Sequence, residues 1–458
     1  MKMYFERLGN IKKGEVKLND LTLLCGPNNT GKTYAMYSLY GLLNKDFEIH
    51  FDFVKYIVHK LVQNNVYKLD LHDLMAQHFD SMIRHIEERF HEQLPSLFSV
   101  EDSEFANTKI KLTFDDRDAL LQQAIKKKWE TESSFGKDKD WFLYIEKAAN
   151  QTVLSLTLRQ EDIPHGLLIR IISSHIVKLI FPNISRRCFL LPAERAGLNL
   201  FNNELSSIRN QLLHHAQKDN INPMEVLRDI TESRYAEPIS DYLEFLNRKD
   251  ALKKHKGEFG AIALDIQKKI MKGKYMVDSD GGIYFLPYRS NNKKLPLHFT
   301  SSTVKSLFGL VFYLNHVALQ SDCLMIDEPE LNLHPDNQRL VARILAQLVN
   351  AGLKVVVSTH SDYFVRELNN LIMLNKSFSQ VDVLKKRHGY MQTDVLDSNR
   401  VSAYLFDNKT LTKMELDPNE GIIADTFDKV ISNLNQSSND IYYALQDELA
   451  ESKEEFDD

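Results

Sequence analysis

Residues 26–33 have the residue types and spacing of a phosphate-binding loop. The segment follows the apolar run 21–25 and precedes the apolar, helix-like segment 34–43. A turn of this length between a strand and a helix surrounds a polyphosphate with backbone N–H groups and directs the positive end of a helix dipole toward it. Lys32 would reach the β- and γ-phosphates of a nucleotide, and the Thr33 hydroxyl would ligate Mg²⁺. The residues expected to bind the phosphates are Gly26, Pro27, Asn28, Asn29, Thr30, Gly31, Lys32 and Thr33.

Two adjacent acidic residues far downstream complement this loop. The apolar run 323–326 ends in Asp327 and Glu328, the Walker B pattern. A central strand would deliver Asp327 beside the loop to hold Mg²⁺, directly or through water, and would place Glu328 to polarise a water for in-line attack on the γ-phosphate. Because two like charges beside phosphates repel each other, the pair predicts a bound cation.

His360 comes just after the next strand-like run, residues 354–358, which follows one intervening helical segment. A histidine at that end of a strand can contact a γ-phosphate and sense its loss. We therefore expect His360 to belong to the same site.

Ser301 and Ser302 lie at the predicted start of a helix, one helix upstream of the acidic pair. Serine hydroxyls and N–H groups at a helix start can bind a phosphate, and Lys305 adds positive charge. An ordinary helix cap is the alternative interpretation of the two serines.

These motifs need strands and helices to position them. Strands are predicted at 3–8, 14–18, 21–25, 323–326 and 354–358, and a helix at 335–349. Strands that alternate with helices at this spacing are typical of a parallel sheet. Helical periodicity dominates residues 47–181, where strand-like pieces at 109–114 and 153–158 predict a small accompanying sheet.

In their order along the chain, these motifs resemble the ABC-type ATPase heads of the SMC, Rad50, RecF and OLD group. Residues 331–336 resemble the D-loop of those proteins, and His360 resembles their switch histidine. The resemblance implies an α/β fold, an ABC-type P-loop NTPase head with a mixed or parallel sheet core and large, mainly helical insertions. It also implies catalytic roles for Glu328, His360 and Lys32, metal binding by Thr33 and Asp327, and ATP and Mg²⁺ as ligands.

Residues 191–197 and the Ser301–Ser302 pair resemble, within that group, the stand-alone ATPases of prokaryotic anti-phage systems such as the PARIS and Septu ATPase subunits. The transporter signature Leu-Ser-Gly-Gly-Gln is absent, and Thr303 stands where related Ser-Ser-Gly forms have glycine.

The resemblance implies a homodimer or higher homo-oligomer in which Ser301 and Ser302 of one subunit face the phosphate loop of another. It implies a sensor or scaffold ATPase that controls a separate effector, such as a Toprim-like or HNH nuclease. The alternative is a DNA-repair ATPase of RecF or Rad50 character, and nucleic acid is left open as a direct partner.

The resulting division of the chain has six parts. They are 1–45, the N-terminal lobe of the head; 46–183, a mainly helical insertion; 184–200, a return to the head; 201–273, a second helical insertion; 274–430, the rest of the head; and 431–458, a C-terminal helix and acidic tail.

Composition limits the function classes. The chain has 57 basic and 63 acidic residues, for a net charge of −6, which argues against a protein devoted to non-specific binding of nucleic acid. Neither an apolar signal core nor a run long enough to span a membrane is evident, so a cytoplasmic protein without membrane contact is expected.

Two further patterns leave alternatives open. Arg195 is predicted either to contact nucleotide, metal-bound water or a partner head, or to form a structural ion pair. Asp278 and Asp280 have the Asp-x-Asp spacing of a metal-dependent nuclease, but their Gly-rich surroundings favour a tight hairpin instead.

Overall fold

The computed structural model describes residues 1–44, 49–134, 141–159, 163–184, 186–202, 235–278, 281–289, 293–423 and 425–454. Residues 203–234, which hold much of the predicted second insertion, lie outside this description, as does Asp280.

The strands and helices of the described residues are numbered here in chain order. The strands are β1 (Lys2–Leu8), β2 (Ile11–Lys17), β3 (Leu21–Cys25), β4 (Val66–Asp70), β5 (Lys109–Thr113), β6 (Trp129–Ser134), β7 (Trp141–Lys147), β8 (Val153–Leu158), β9 (Cys188–Leu191), β10 (Gly273–Val277), β11 (Ile283–Pro287), β12 (Leu295–Pro296), β13 (Cys323–Asp327), β14 (Lys354–Thr359), β15 (Val401–Asp407), β16 (Thr410–Lys413), β17 (Leu416–Asp417) and β18 (Gly421–Ile422). The helices are α1 (Lys32–Asn44), α2 (Asp52–Asn64), α3 (Leu71–Phe98), α4 (Arg117–Lys126), α5 (His165–Ile180), α6 (Glu237–Asn247), α7 (Lys249–Leu252), α8 (Gly260–Ile266), α9 (Ser302–His316), α10 (Pro335–Asn350), α11 (Asp362–Met373), α12 (Val381–His388) and α13 (Asp425–Glu454).

The main sheet of the described residues has the strand order β5-β1-β2-β16-β15-β3-β14-β13-β9. Its centre is parallel: β3 pairs with β14 and β15, and β13 pairs with β14 and β9. All residues of β3 and β13 are buried, as expected for parallel strands that are covered on both faces. The predicted mixed sheet with a parallel centre is confirmed.

Two apolar cores cover the two faces of this sheet. Leu24 and Val356 belong to the core that contains α1, α2, α3 and α5. Leu23 and Val357 belong to the core that contains α9, α10 and α11. Successive residues of a strand point to opposite faces, so each central strand contributes side chains to both cores and connects the two helical layers.

The segment between α1 and β9 contains more strand than expected. Helices α2 to α5 are present, but β4, β8, β7 and β6 form an antiparallel sheet beside them. The prediction of a strand at 153–158 is confirmed by β8. The prediction that 109–114 joins this small sheet is wrong, because β5 pairs with β1 at the edge of the main sheet, where Lys2 lies opposite Thr113.

Strands β10 and β11 form the predicted hairpin, with Val277 opposite Ile283. A short 3-10 turn, Leu297–Phe299, then leads into α9. Within the described ranges no helix is long and apolar enough to cross a membrane.

Candidate functional site

The loop between β3 and α1 requires glycine at two positions. Gly26 and Gly31 have φ values of +145° and +103°, which favour glycine. A Cβ on Gly31 would lie 2.6 Å from Cγ1 of Ile11, and a Cβ on Gly26 would collide with the carbonyl oxygen of Phe406. The side chain of Ile11 and the backbone of Phe406 therefore limit the shape of this loop.

Lys32 lies inside the curve of the loop. Its ammonium donates hydrogen bonds to the carbonyl oxygens of Gly26 at 2.9 Å and Pro27 at 2.7 Å. Burial lowers the pKa of Lys32, while the carboxylates of Glu328 and Asp327 oppose that shift. The loop and its lysine thus form one unit next to the acidic residues.

Thr33 and Asp327 connect the loop to the end of β13. The Thr33 hydroxyl donates to Oδ2 of Asp327 at 3.2 Å, and the Ser358 hydroxyl donates to Oδ1 of the same carboxylate. Burial raises the pKa of Asp327, and the hydrogen bond from Ser358 opposes that rise. A carboxylate and a hydroxyl oxygen are the hard ligands that Mg²⁺ prefers, so the donor set fits this ion.

Glu328 has a backbone conformation that is uncommon for a residue with a side chain. Its φ is +50°, a left-handed value that persists only when the surroundings enforce it. Its N–H donates to both the carbonyl and the hydroxyl oxygen of Ser358, each at 3.1 Å. Its carbonyl oxygen accepts from Arg195 at 2.7 Å. Contacts on both sides of the residue thus hold it in place.

Among the described residues Arg195 forms no ion pair, so the predicted structural ion pair is wrong, while contact with nucleotide, metal-bound water or a partner head stays a prediction. Its guanidinium donates to the carbonyl oxygens of Asp327 at 2.7 Å, Glu328 at 2.7 Å and Pro192 at 3.1 Å. The residue is only 3% exposed. Arg195 is therefore a positioning residue that binds the backbone of the acidic pair.

His360 lies between two carboxylates. Its Nδ1 is 3.4 Å from Oε1 of Glu328 and 3.4 Å from Oε1 of Glu330. The side chain is partly exposed, so it can reach a ligand beside Glu328. The predicted placement of His360 beside the acidic pair agrees with this geometry, and its role stays a prediction.

Glu330 is the residue of this site that sequence reasoning missed. It is buried, and its Oε1 accepts hydrogen bonds from the Thr359 hydroxyl at 2.7 Å and the His360 N–H at 2.8 Å. Its Oε2 is buried with no hydrogen-bond partner among the described residues. The available signal was a third acidic residue in the turn that follows β13.

Ser301 and Ser302 are exposed at the start of α9. Ser301 caps this helix, since its hydroxyl oxygen accepts from the N–H of Val304 at 3.4 Å. The next hydroxyl, that of Thr303, donates to the carbonyl oxygen of Asn332 at 2.9 Å. Among the described contacts, no hydrogen bond joins either serine to the loop 26–33, and their predicted role toward a partner stays a prediction.

A helical stretch at 195–202 connects the acidic pair to α9. Arg195 binds the acidic pair, and Asn199 on the same stretch donates to the carbonyl oxygen of Lys305 at 2.7 Å. The hydroxyl of Tyr242 donates to Oδ1 of Asn199 at 2.7 Å. One short stretch therefore contacts both the acidic pair and the helix that carries the two serines.

Asp278 is located in the hairpin between β10 and β11, as the sequence indicates. Its carboxylate pairs with Lys294 at 3.1 Å. Among the described residues no group of three or more His, Cys, Asp or Glu side chains could hold a metal ion.

Comparison with known proteins gives one family. The sequence profile described as "AAA ATPase domain" matches residues 6–365. The comparison with curated proteins gives no match.

Solved structures similar to this chain include SMC heads at low identity. The SMC head domain from Thermotoga maritima has a TM-score of 0.30 and 9% identity, over 91% of this chain and 98% of that one. The Smc head domain bound to the C-terminal domain of ScpA from Pyrococcus furiosus has a TM-score of 0.30 and 12% identity, over 95% of this chain and 98% of that one. An SmcHead bound to the C-winged helix domain of ScpA has a TM-score of 0.35 and 11% identity, over 91% and 97% of the two chains.

Proposed function

The chain belongs to the family of AAA ATPase domains, and on that premise we propose that it hydrolyses ATP between the loop 26–33 and Glu328. The observation that carries this proposal is the hydrogen bond from Thr33 to Asp327, 3.2 Å long. It brings the loop 26–33 and the pair of carboxylates together at the carboxyl ends of the central strands β3 and β13.

The residues divide the chemistry among them. Lys32 and the loop N–H groups bind the β- and γ-phosphates, and Thr33 and Asp327 hold Mg²⁺. Bound there, the ion neutralises charge on the phosphate oxygens. Glu328 orients a water in line with the γ-phosphate and accepts its proton. His360, next to Glu328, contacts the γ-phosphate and responds to its departure.

We propose that the site is completed by a second copy of the chain. Support comes from Ser301 and Ser302, which are exposed at the start of α9, where helix N–H groups favour an anion. The Thr303–Asn332 hydrogen bond of 2.9 Å ties this helix to the turn after the acidic pair. ATP between two copies would thus couple hydrolysis to dimerisation.

We further propose that the ATPase is the sensor or scaffold subunit of an anti-phage system and controls a separate effector nuclease. Support for this part is the sequence resemblance of residues 191–197 and the Ser301–Ser302 pair. ATP would close the dimer, hydrolysis would open it, and the change would control the effector.

The test is a phage plating assay with this chain and the protein encoded beside it. We expect protection by the pair, loss of protection with Lys32→Ala, and retention with the exposed control Lys55→Ala. Protection by the neighbouring protein alone, or undiminished protection with Lys32→Ala, would reject the regulatory role. Hydrolysis that requires DNA, with binding that weakens steeply with salt, would favour a DNA-repair ATPase instead.

A further inference from the structure

A cavity of about 180 Å³ lies beside the start of α1, next to Thr33. Aromatic side chains form much of its surface, with Val100 and the carboxylate of Glu104 at its exposed rim. Its lining residues are Gly9, Thr33, Tyr34, Tyr37, Phe98, Val100, Glu104 and Phe105.

Ring contacts fix the walls of this cavity. The centroid of Phe98, at the end of α3, lies 5.3 Å from that of Tyr34, 6.1 Å from that of Tyr37 and 5.1 Å from that of Phe105. Gly9, in the turn between β1 and β2, lies so close to Tyr34 that a Cβ would be 2.7 Å from the ring. The cavity is therefore formed jointly by α1, the β1–β2 turn and the inserted segment that contains α3.

The sheet order gives the cavity a defined position relative to the hydrolytic residues. Strand β13, which carries Asp327, lies on one side of β3, while β1 and β2 lie on the other side. A triphosphate on the loop after β3 directs its γ-phosphate toward Asp327 and Glu328. The nucleoside must then leave in the opposite direction, toward Gly9 and the cavity.

We propose that this cavity binds the base of the nucleotide whose phosphates lie on the loop 26–33, with Tyr34 and Phe98 as its principal contacts. Planar bases stack on aromatic rings, and the Glu104 carboxylate can accept a hydrogen bond from the amino group of adenine. The proposal rests on the proposed function. It assigns the inserted segment a part in nucleotide recognition that the sequence motifs do not contain.

Binding of ATP and of inorganic tripolyphosphate, measured by calorimetry, separates the base from the phosphates. Tyr34→Ala should weaken ATP binding by about tenfold or more and leave tripolyphosphate binding unchanged, whereas Tyr34→Phe should retain both. Tyr56→Ala is the matched control, since Tyr56 is 59% exposed on α2 and lies outside the cavity lining.

A second pair of variants keeps the proposal testable if Tyr34→Ala does not fold. Val100→Trp fills the rim of the cavity and should weaken ATP binding but not tripolyphosphate binding. Val66→Trp, on β4, is its control, because Val66 and Val100 are 45% and 44% exposed.

Two results would overturn the base site without affecting the proposed function. One is that both Tyr34→Ala and Val100→Trp bind ATP with the parental affinity. The other is that both variants lose affinity for ATP and for tripolyphosphate to the same extent. A parental protein that binds neither ligand would instead reject the proposed function, and the base site with it.

Discussion

The guanidinium of Arg195 donates a 2.7 Å hydrogen bond to the carbonyl oxygen of Glu328, and this contact holds a residue whose φ is +50°. Arg195→Lys should reduce kcat by about tenfold, because one ammonium cannot replace the planar guanidinium. The dissociation constant of ATP should stay within about twofold, since the contacts of Arg195 are to the acidic pair and Pro192. Steady-state kinetics and calorimetry measure the two quantities. Arg248→Lys, at the exposed position just after α6, is the control, and an unchanged kcat in Arg195→Lys would contradict this role of Arg195.

Glu330 positions His360 through the main chain as well as through the imidazole. Glu330→Ala removes the acceptor of the Thr359 and His360 hydrogen bonds and should lower kcat by about tenfold. Glu330→Gln keeps an oxygen acceptor and should restore most of the rate. The rate of hydrolysis of the two variants, beside the exposed control Glu244→Ala, checks the prediction. Equal defects in Glu330→Ala and Glu330→Gln would show that the charge matters and not the hydrogen bonds.

Asp327→Asn should stabilise the protein in the absence of nucleotide and Mg²⁺ while it abolishes hydrolysis. Burial raises the pKa of Asp327, so the charged carboxylate costs folding free energy at neutral pH, and Asn removes that charge. We expect a melting temperature a few degrees higher at about pH 8. In the parental protein the folded form takes up the proton at a higher pH than the unfolded form, so the cost is lost as pH falls through the folded pKa. The melting temperatures of Asp327→Asn and of the parental protein should therefore converge as the pH falls from about 8 to about 4. A difference in melting temperature that stays constant over this range would contradict the prediction.

Mixed subunits test whether a second copy completes the site. Lys32→Ala should inactivate the loop of its own chain, and Ser302→Arg should impair the loop of the partner chain. A mixture of the two variants should recover about a quarter of the parental activity, because half of the chains pair as mixed dimers with one intact site each. Activity no higher than the mean of the separate variants would contradict a shared site. Mixing Lys32→Ala with Lys55→Ala is the control and should give about half of the parental activity, since Lys55→Ala supplies both an intact loop and intact serines.

Much of the main sheet follows from local sequence. Strands β3 and β13 are apolar runs that are buried throughout, and the turn residues after them mark the carboxyl ends where the site is formed. Strand β6 could not be predicted in the same way, because its sequence is Trp-Glu-Thr-Glu-Ser-Ser and its pairing partner is β7. The place of β5 beside β1 depends on a pairing distant in sequence, which no local pattern contains.

Local sequence was enough to find the acidic pair, the loop and His360. Each of them belongs to a short motif whose residue types suit phosphate or metal binding. Arg195 could not be assigned, since it binds backbone carbonyl oxygens whose positions depend on the folded turn after β13. The cavity proposed for the base was equally hidden, because Phe98 reaches Tyr34 only through the packing of α3 against α1.

We propose that Glu328 drives hydrolysis of ATP bound to the loop 26–33. The most direct measurement is the steady-state hydrolysis rate of Glu328→Gln together with its ATP affinity, with the exposed variant Glu244→Gln as control. We predict a rate at least about 100-fold below the parental one, with ATP still bound and an unimpaired control. Hydrolysis by Glu328→Gln at the parental rate would contradict the account.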